Sequence, residues 1–259
     1  RQIVLYCLAY AAREYKIALH SIIIMSNHYH AVVSEKTPKS DLSKFMMSFN
    51  GNVAKCLNIE HEANENCWSS QPHHEVRLEG EKAVLNATVY GICNPVDAGL
   101  VRKPQQWPGF ITHEEAAGNY SAIIKRPKHF GPNSIKPKFL KVEFTKPPQF
   151  DDLSQVEFQK TVTDLVSDKL EDIYKKRRKM GFKRFLGATA VRRRHHFSSP
   201  ETEVTEVKRT YHDPIYNTDD EEEAFELRYR AFLEAYSEAR DLWKKNKKTV
   251  FPHGTYKMV

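Results

Sequence analysis

Long hydrophobic runs are missing from this chain of 259 residues. Nowhere do eighteen apolar residues follow one another, and the most apolar stretch, Leu19 to Met25, is far too short to cross a bilayer, so no membrane role follows. Cysteine is scarce: Cys7, Cys56, Cys67 and Cys93 are scattered with no C-x-x-C pair. That argues against a zinc knuckle or a redox motif and for reduced thiols in a cytoplasmic protein. Residue 1 is Arg, and the opening Arg-Gln-Ile-Val-Leu-Tyr reads as the first turn of a helix, not as a charged leader followed by an apolar block and a small-residue cleavage site. The chain is therefore expected to start inside a domain. No internal repeat is visible. What is present is enough apolar material, 40% of the residues, for one large folded domain or two modest ones. The net charge of +7 is unevenly placed: residues 1–118 hold 11 Lys and Arg against 12 Asp and Glu, residues 119–259 hold 29 against 21. A basic excess gathered in one part of a chain suits a polyanionic partner.

Apolar residues from Ile3 to Tyr15 recur at helical spacing, after which the period changes. Leu19 to Met25 and His28 to Ser34 read as strands separated by the polar break Ser26-Asn27. Asp41 is a good N-cap for a helix running to about Ile59. Glu79 to Cys93 reads as another helix, closed near Pro95 because the residue before proline is biased away from helical angles. After Trp107-Pro108-Gly109 the character shifts. Prolines 127, 132, 137, 147 and 148 interleave with lysines, so 117–150 is expected to be a linker between a catalytic domain at 1–116 and a helical, basic accessory region at 151–259. That last region contains two long charged helices, Asp152 to Met180 and Asp219 to Lys248. The expected fold class is α+β, an antiparallel sheet with packed helices followed by a mainly α-helical C-terminal part.

Two short segments carry candidate chemistry. In Met25-Ser26-Asn27-His28-Tyr29-His30, strand alternation projects His28 and His30 on one side and Tyr29 on the other, so two imidazoles could share one metal ion. Alone, such a triplet is equally compatible with coincidence. In Val89-Tyr90-Gly91-Ile92-Cys93-Asn94-Pro95, Tyr90 and Asn94 stand four apart on a helix and share a face. The Asn94 carbonyl is a competent hard ligand and the Tyr90 hydroxyl a potential nucleophile. Taken singly, an ordinary half-buried tyrosine and a helix-capping asparagine are the simpler readings. His73-His74 resembles a metal pair only superficially, since adjacent residues point to opposite faces of a strand.

Taken together these segments resemble the IS200-like, single-tyrosine, histidine-pair (HUH) transposases, particularly the branch related to the repeat-associated (REP-associated) tyrosine transposases. The resemblance rests on a helix and a strand, Met25 to His30 with Val32-Val33 behind it, Tyr90-x-x-x-Asn94-Pro95-Val96, Ala98-Gly99-Leu100-Val101 and Trp107-Pro108-Gly109. It continues faintly through Phe185-Leu186-Gly187, Phe232-Leu233-x-x-Tyr236 and Phe251-Pro252-x-Gly254-Thr255-Tyr256. The family's usual first strand is absent before Arg1. The resemblance implies an HUH endonuclease-like, ferredoxin-like sheet and a metal-dependent single-stranded DNA endonuclease and strand transferase. His28, His30 and Asn94 would hold Mg2+ or Mn2+, and Tyr90 would form a 5′-phosphotyrosine. Its partner would be DNA, single-stranded with hairpin structure, and the protein a monomer or homodimer. Two alternatives remain open: a catalytically inactive hairpin-binding relative, and a metal-dependent hydrolase that uses water.

The same partner gives the basic clusters a use. Arg192, Arg193 and Arg194 lie near Phe182, Phe185 and Phe197, and basic plus aromatic character suits single strands. Lys175, Lys176, Arg177 and Arg178 close a helix, where cations also meet the negative end of the dipole, so a solvated helix end is as good a reading there as a DNA contact. The region beyond residue 119 is expected to supply much of the DNA affinity.

Overall fold

The computed structural model describes residues 1–68, 75–182, 184–194 and 218–252. Helix α1 (Gln2–Glu14) buries Leu5, Tyr6, Leu8, Ala9, Ala11 and Ala12, the face its apolar spacing dictates. Lys16 then takes a left-handed conformation, φ 57°, that turns the chain into β1 (Ile17–Ile24). The return strand β2 (Tyr29–Glu35) pairs antiparallel to it, with Ile23 opposite His30 and Ile24 opposite Tyr29. A register shift between Leu19 and Ser21 makes His20 an extra residue in β1. Because a bulge resets the alternation, Ile17 and Leu19 before it and Ile22 after it enter one core, while Ile23 and Met25 enter the other.

Helix α2 (Leu42–Glu60) is capped by the Asp41 side chain, which accepts from the Lys44 N–H, and buries Phe45, Phe49, Val53 and Cys56 against α1. Helix α3 (Gly80–Asp97) lies over the opposite face of β1 and β2. It does not stop before Pro95, as the sequence suggests, but carries the proline in its last turn. A proline there forgoes the bond its own N–H would make to the Gly91 carbonyl, and its ring crowds that carbonyl. The Pro95 carbonyl accepts from the Leu100 and Val101 N–H groups and closes the end.

The segment expected to be a linker is instead part of the sheet. After the short β3 (Phe110–Ile111), which pairs with the end of β1, strands β4 (Asn119–Lys125) and β5 (Phe139–Thr145) form an antiparallel hairpin. The five-stranded sheet runs β2-β1-β5-β4, and β5 meets β1 in parallel at Leu19 and Phe144. The sheet is therefore mixed, not wholly antiparallel. Leu140, Val142 and Phe144 alternate into the core beside α1 and α2. The prolines at 127, 132, 137 and 147 sit between and after the strands, where a missing N–H breaks no ladder.

Helix α4 (Gln155–Lys179) opens on a reciprocal cap between Ser154 and Glu157 and buries Phe158, Val162, Val166 and Ile173 in the core that α3 shares with β1 and β2. Two further helices follow, α5 (Ala188–Arg193) and α6 (Asp219–Lys244). Thus the α+β class and the helical C-terminal part expected from the sequence are both present. Among the described residues no helix is long and apolar enough to cross a membrane.

Candidate active site

The β1–β2 turn is closed by a hydrogen bond from the Met25 N–H to the His28 carbonyl, 2.8 Å. This places His28 just before β2 and His30 within it, on the side where Val32 enters the α3 core. The two imidazole rings meet edge to face with centroids 5.0 Å apart. On α3, the buried Val89, Ile92, Cys93 and Val96 anchor one face and leave Tyr90 turned toward the histidines, 49% exposed. Gly91 faces Ile23 of β1, where a Cβ would make an ordinary van der Waals contact of 3.6 Å with Ile23 Cγ2. The Tyr90 ring meets the His30 ring edge to face at 5.1 Å. One turn on, Asn94 Nδ2 lies 3.4 Å from His30 Nε2. The four residues picked out from two distant segments of sequence are therefore neighbours.

His28 Nδ1 lies 2.7 Å from Asn27 Oδ1. An amide oxygen only accepts, so Nδ1 carries the proton and Nε2 keeps its lone pair. Partial burial pushes the His28 pKa below the ordinary imidazole value, which favours the neutral ring that a metal ligand must be. Asn94 can turn its amide oxygen toward the same space. Among the described residues no cluster of three His, Cys, Asp or Glu side chains could hold a metal ion. An ion at this site would rest on two imidazoles, an amide and oxygens from solvent or substrate. Two imidazoles depart from the all-oxygen set Mg2+ prefers, and a mixed imidazole and amide-oxygen set would suit Mn2+ at least as well, with positions left for phosphate oxygens.

Tyr29 projects to the other face, where its hydroxyl donates to Asn50 Oδ1 at 2.8 Å and its ring packs edge-on against Phe49 and Trp68. Tyr6 donates to the Pro137 carbonyl and Tyr10 lies under Lys136, both in the α1 core. None of these can reach the histidine pair. Two supports were visible in the sequence only as part of the resemblance, with no role assigned. One is Asn27, which sets the His28 tautomer. The other is the Trp107-Pro108-Gly109 segment: buried Trp107 donates its indole N–H to the Ile24 carbonyl at 2.8 Å, pinning the end of β1 where the turn begins. Gly109 makes room for it, since a Cβ there would fall 2.6 Å from that carbonyl.

The basic candidates divide. Lys175 pairs with Glu171 at 2.8 Å, while Lys176, Arg178, Arg192 and Arg193 are exposed and Arg194 caps α5 through its backbone. Arg177 is different. Its guanidinium lies 4.5 Å from the Phe185 ring and 5.6 Å from Phe182, donates to the Arg184 carbonyl at 3.0 Å, and sits against Gly99. It is an internal strut tying the end of α4 to the loop after α3, because its donors are turned into the protein. His73-His74, His195-His196 and Phe197 lie outside the described residues, as does the Gly254-Thr255-Tyr256 ending.

The sheet thus carries a histidine pair faced by a tyrosine on a helix. Residues 1–74 match the family model described as transposase IS200 like. The matched segment contains α1, β1, β2 and α2 with both histidines, and it ends before α3, so Tyr90 and Asn94 lie beyond it. Over those residues the chain is similar to IS200-like transposases. No curated protein and no solved structure matches the chain.

Proposed function

We propose that the chain is a metal-dependent single-stranded DNA endonuclease and strand transferase of the transposase kind, with Tyr90 as nucleophile. The observation that carries this reading is the edge-to-face contact of Tyr90 with His30, with Asn94 one helical turn away on the same imidazole. A divalent ion, Mg2+ or Mn2+, held by His28, His30 and Asn94, would neutralise the phosphodiester's anionic oxygens, whose repulsion is the main barrier to attack. The hydroxyl of Tyr90 attacks phosphorus and gives its proton to solvent, while the bond from phosphorus to the 3′ oxygen breaks and that oxygen takes a proton from solvent. The products are a 5′-phosphotyrosine and a free 3′-hydroxyl. The covalent bond conserves the energy of the cut, so another 3′-hydroxyl can reverse the step on a different strand. Half-exposure of Tyr90 leaves an approach for an extended strand, and the helix fixes the phenol so that little ordering is needed at the moment of attack. The exposed cations on α4 and α5 would hold the backbone of the same DNA. The closer resemblance to the repeat-associated branch suggests a hairpin-bearing substrate.

The test is covalent trapping. A labelled single-stranded hairpin incubated with Mn2+ and wild-type protein should yield an adduct that survives denaturing electrophoresis, and Tyr90→Phe should yield none while binding the strand as before. An adduct that persists in Tyr90→Phe assigns the nucleophile elsewhere. Cleavage without any adduct would make water the nucleophile, and strand binding without cleavage would make the chain an inactive binder.

A further inference from the structure

Between Asp172 and Glu201 the chain holds ten Lys and Arg residues and no Asp or Glu. The described part of this segment is the last turn of α4, residues 180–182 and 184–187, and α5 with Arg194. Lys175 is paired with Glu171 and Arg177 is turned inward, but Lys176, Arg178, Arg184, Arg192 and Arg193 are exposed and make a cationic surface that suits a polyanion. Three large apolar side chains are left in solvent among them: Met180 at 58% exposure, Phe182 at 54% and Leu186 at 40%. An exposed aromatic ring surrounded by cations gains nothing from water. It matches the two faces of an unpaired nucleotide, an anionic backbone and an apolar base.

The backbone at Phe182 is also held in place. The Phe182 N–H donates to the Arg177 carbonyl at 2.9 Å, and the Arg177 guanidinium lies near both the Phe182 and Phe185 rings. Phe185 in turn packs edge-on against Tyr174. The Leu186 and Gly187 N–H groups bond to the Gly99 and Leu100 carbonyls at 3.0 and 2.8 Å, which joins the loop to the end of α3. That end lies little more than one turn beyond Asn94. The loop is therefore fixed to the helix that carries Tyr90.

We propose that this loop is a single-strand platform on which Phe182 stacks an unpaired base while Lys176, Arg178, Arg184, Arg192 and Arg193 take the flanking phosphates. The proposal rests on the reading of the chain as an enzyme of single-stranded DNA and assigns where the strand lies beside the catalytic helix. Phe182 is a positioning residue: it touches a base away from the reacting phosphate.

The experiment uses full-length Tyr90→Phe protein in EDTA, so that no strand is cut and binding is read apart from chemistry. Anisotropy is measured with a labelled oligothymidylate and with an abasic strand of equal length, identical in charge but without bases. The oligothymidylate should bind about tenfold tighter than the abasic strand, the range expected for one stacked base. Phe182→Ala should remove that preference and Phe182→Trp should restore it, with both variants melting like the parent. Equal preference in Phe182→Ala and its parent overturns the platform. So does capture by phosphatidylserine vesicles that outcompetes either strand, which would make the cations a lipid surface. Either failure leaves the covalent assay of Tyr90 unaffected, and a missing adduct in that assay leaves the base preference unaffected.

Discussion

His20 occupies the bulge of β1, only 5% exposed, and ties three strands together. Its Nδ1 bonds to the Thr145 carbonyl of β5 at 2.9 Å and its Nε2 to the Ser34 hydroxyl of β2 at 2.8 Å. A neutral ring satisfies both, donating from Nδ1 and accepting at Nε2. Burial pushes its pKa below the ordinary value, so the folded state binds its proton less readily than the unfolded chain. Stability contributed by the neutral ring is complete above the unfolded value of about 6.5 and is lost as pH falls through the depressed folded value. The thermal midpoint should therefore drop between about pH 7 and pH 5. His20→Gln should melt lower at neutral pH but with a flatter pH profile. It should not be wholly flat, because burial depresses His28 and His113 in the same direction. A variant that kept the full wild-type pH profile would clear His20 of the effect. Nothing in Leu-His-Ser announces the bulge, since it arises from pairing with two strands distant in sequence.

Elements with one buried stripe are the ones a sequence shows. Helices α1 and α2 and strands β1 and β2 follow from periodicity and from the Asp41 cap, and the histidine pair follows from strand alternation. Hairpin β4–β5 hid behind prolines and lysines, although Phe139-Leu140-Lys141-Val142-Glu143-Phe144 alternates in the manner of a half-buried strand. Its parallel contact with β1 joins residues more than a hundred positions apart, and no local signal reports that. The nearness of Tyr90 to His30 was likewise invisible to spacing and came through resemblance. Two glycines set how these elements meet. Gly99, at φ 70°, ends the turn after α3, and a Cβ there would fall 2.7 Å from Arg177 Nη1. Gly99→Ala should cost about 1–2 kcal/mol from the left-handed backbone alone. With Arg177 displaced as well, the melting point should fall by roughly 3–8 °C. Gly109→Ala drives a methyl group against the Ile24 carbonyl and should loosen the Trp107 clamp on the histidine turn. It should slow adduct formation more than it weakens strand binding. Cleavage at the wild-type rate in a folded Gly109→Ala protein would show that the clamp does not position the site.

At the scale of the whole molecule, the basic half cannot be removed to learn what it does. A cut after Gly118 deletes Leu140, Val142 and Phe144 from the core under α1 and α2, and Phe158, Val162, Val166 and Ile173 from the core under α3. Each such side chain contributes about 1.5–3 kcal/mol on burial, so the loss of all seven is comparable to or larger than the roughly 5–15 kcal/mol by which a domain is stable. Fragment 1–118 should lack a cooperative thermal transition, whatever its affinity for DNA. The role of the charge has to be read by substitution in the intact fold. Lys176, Arg178, Arg192 and Arg193 are exposed and form no ion pair shown among the described residues, so changing all four to Gln should leave the melting point nearly unchanged. If each neutralises one phosphate, each releases a condensed counterion on binding. The slope of log K against log salt for a single strand should then shrink by about 0.7 per residue. The fourfold variant should thus flatten that slope by roughly 3 and bind more weakly at low salt, with the loss closing as salt rises. An unchanged slope in a variant that melts normally would mean that the strand follows another face of the protein.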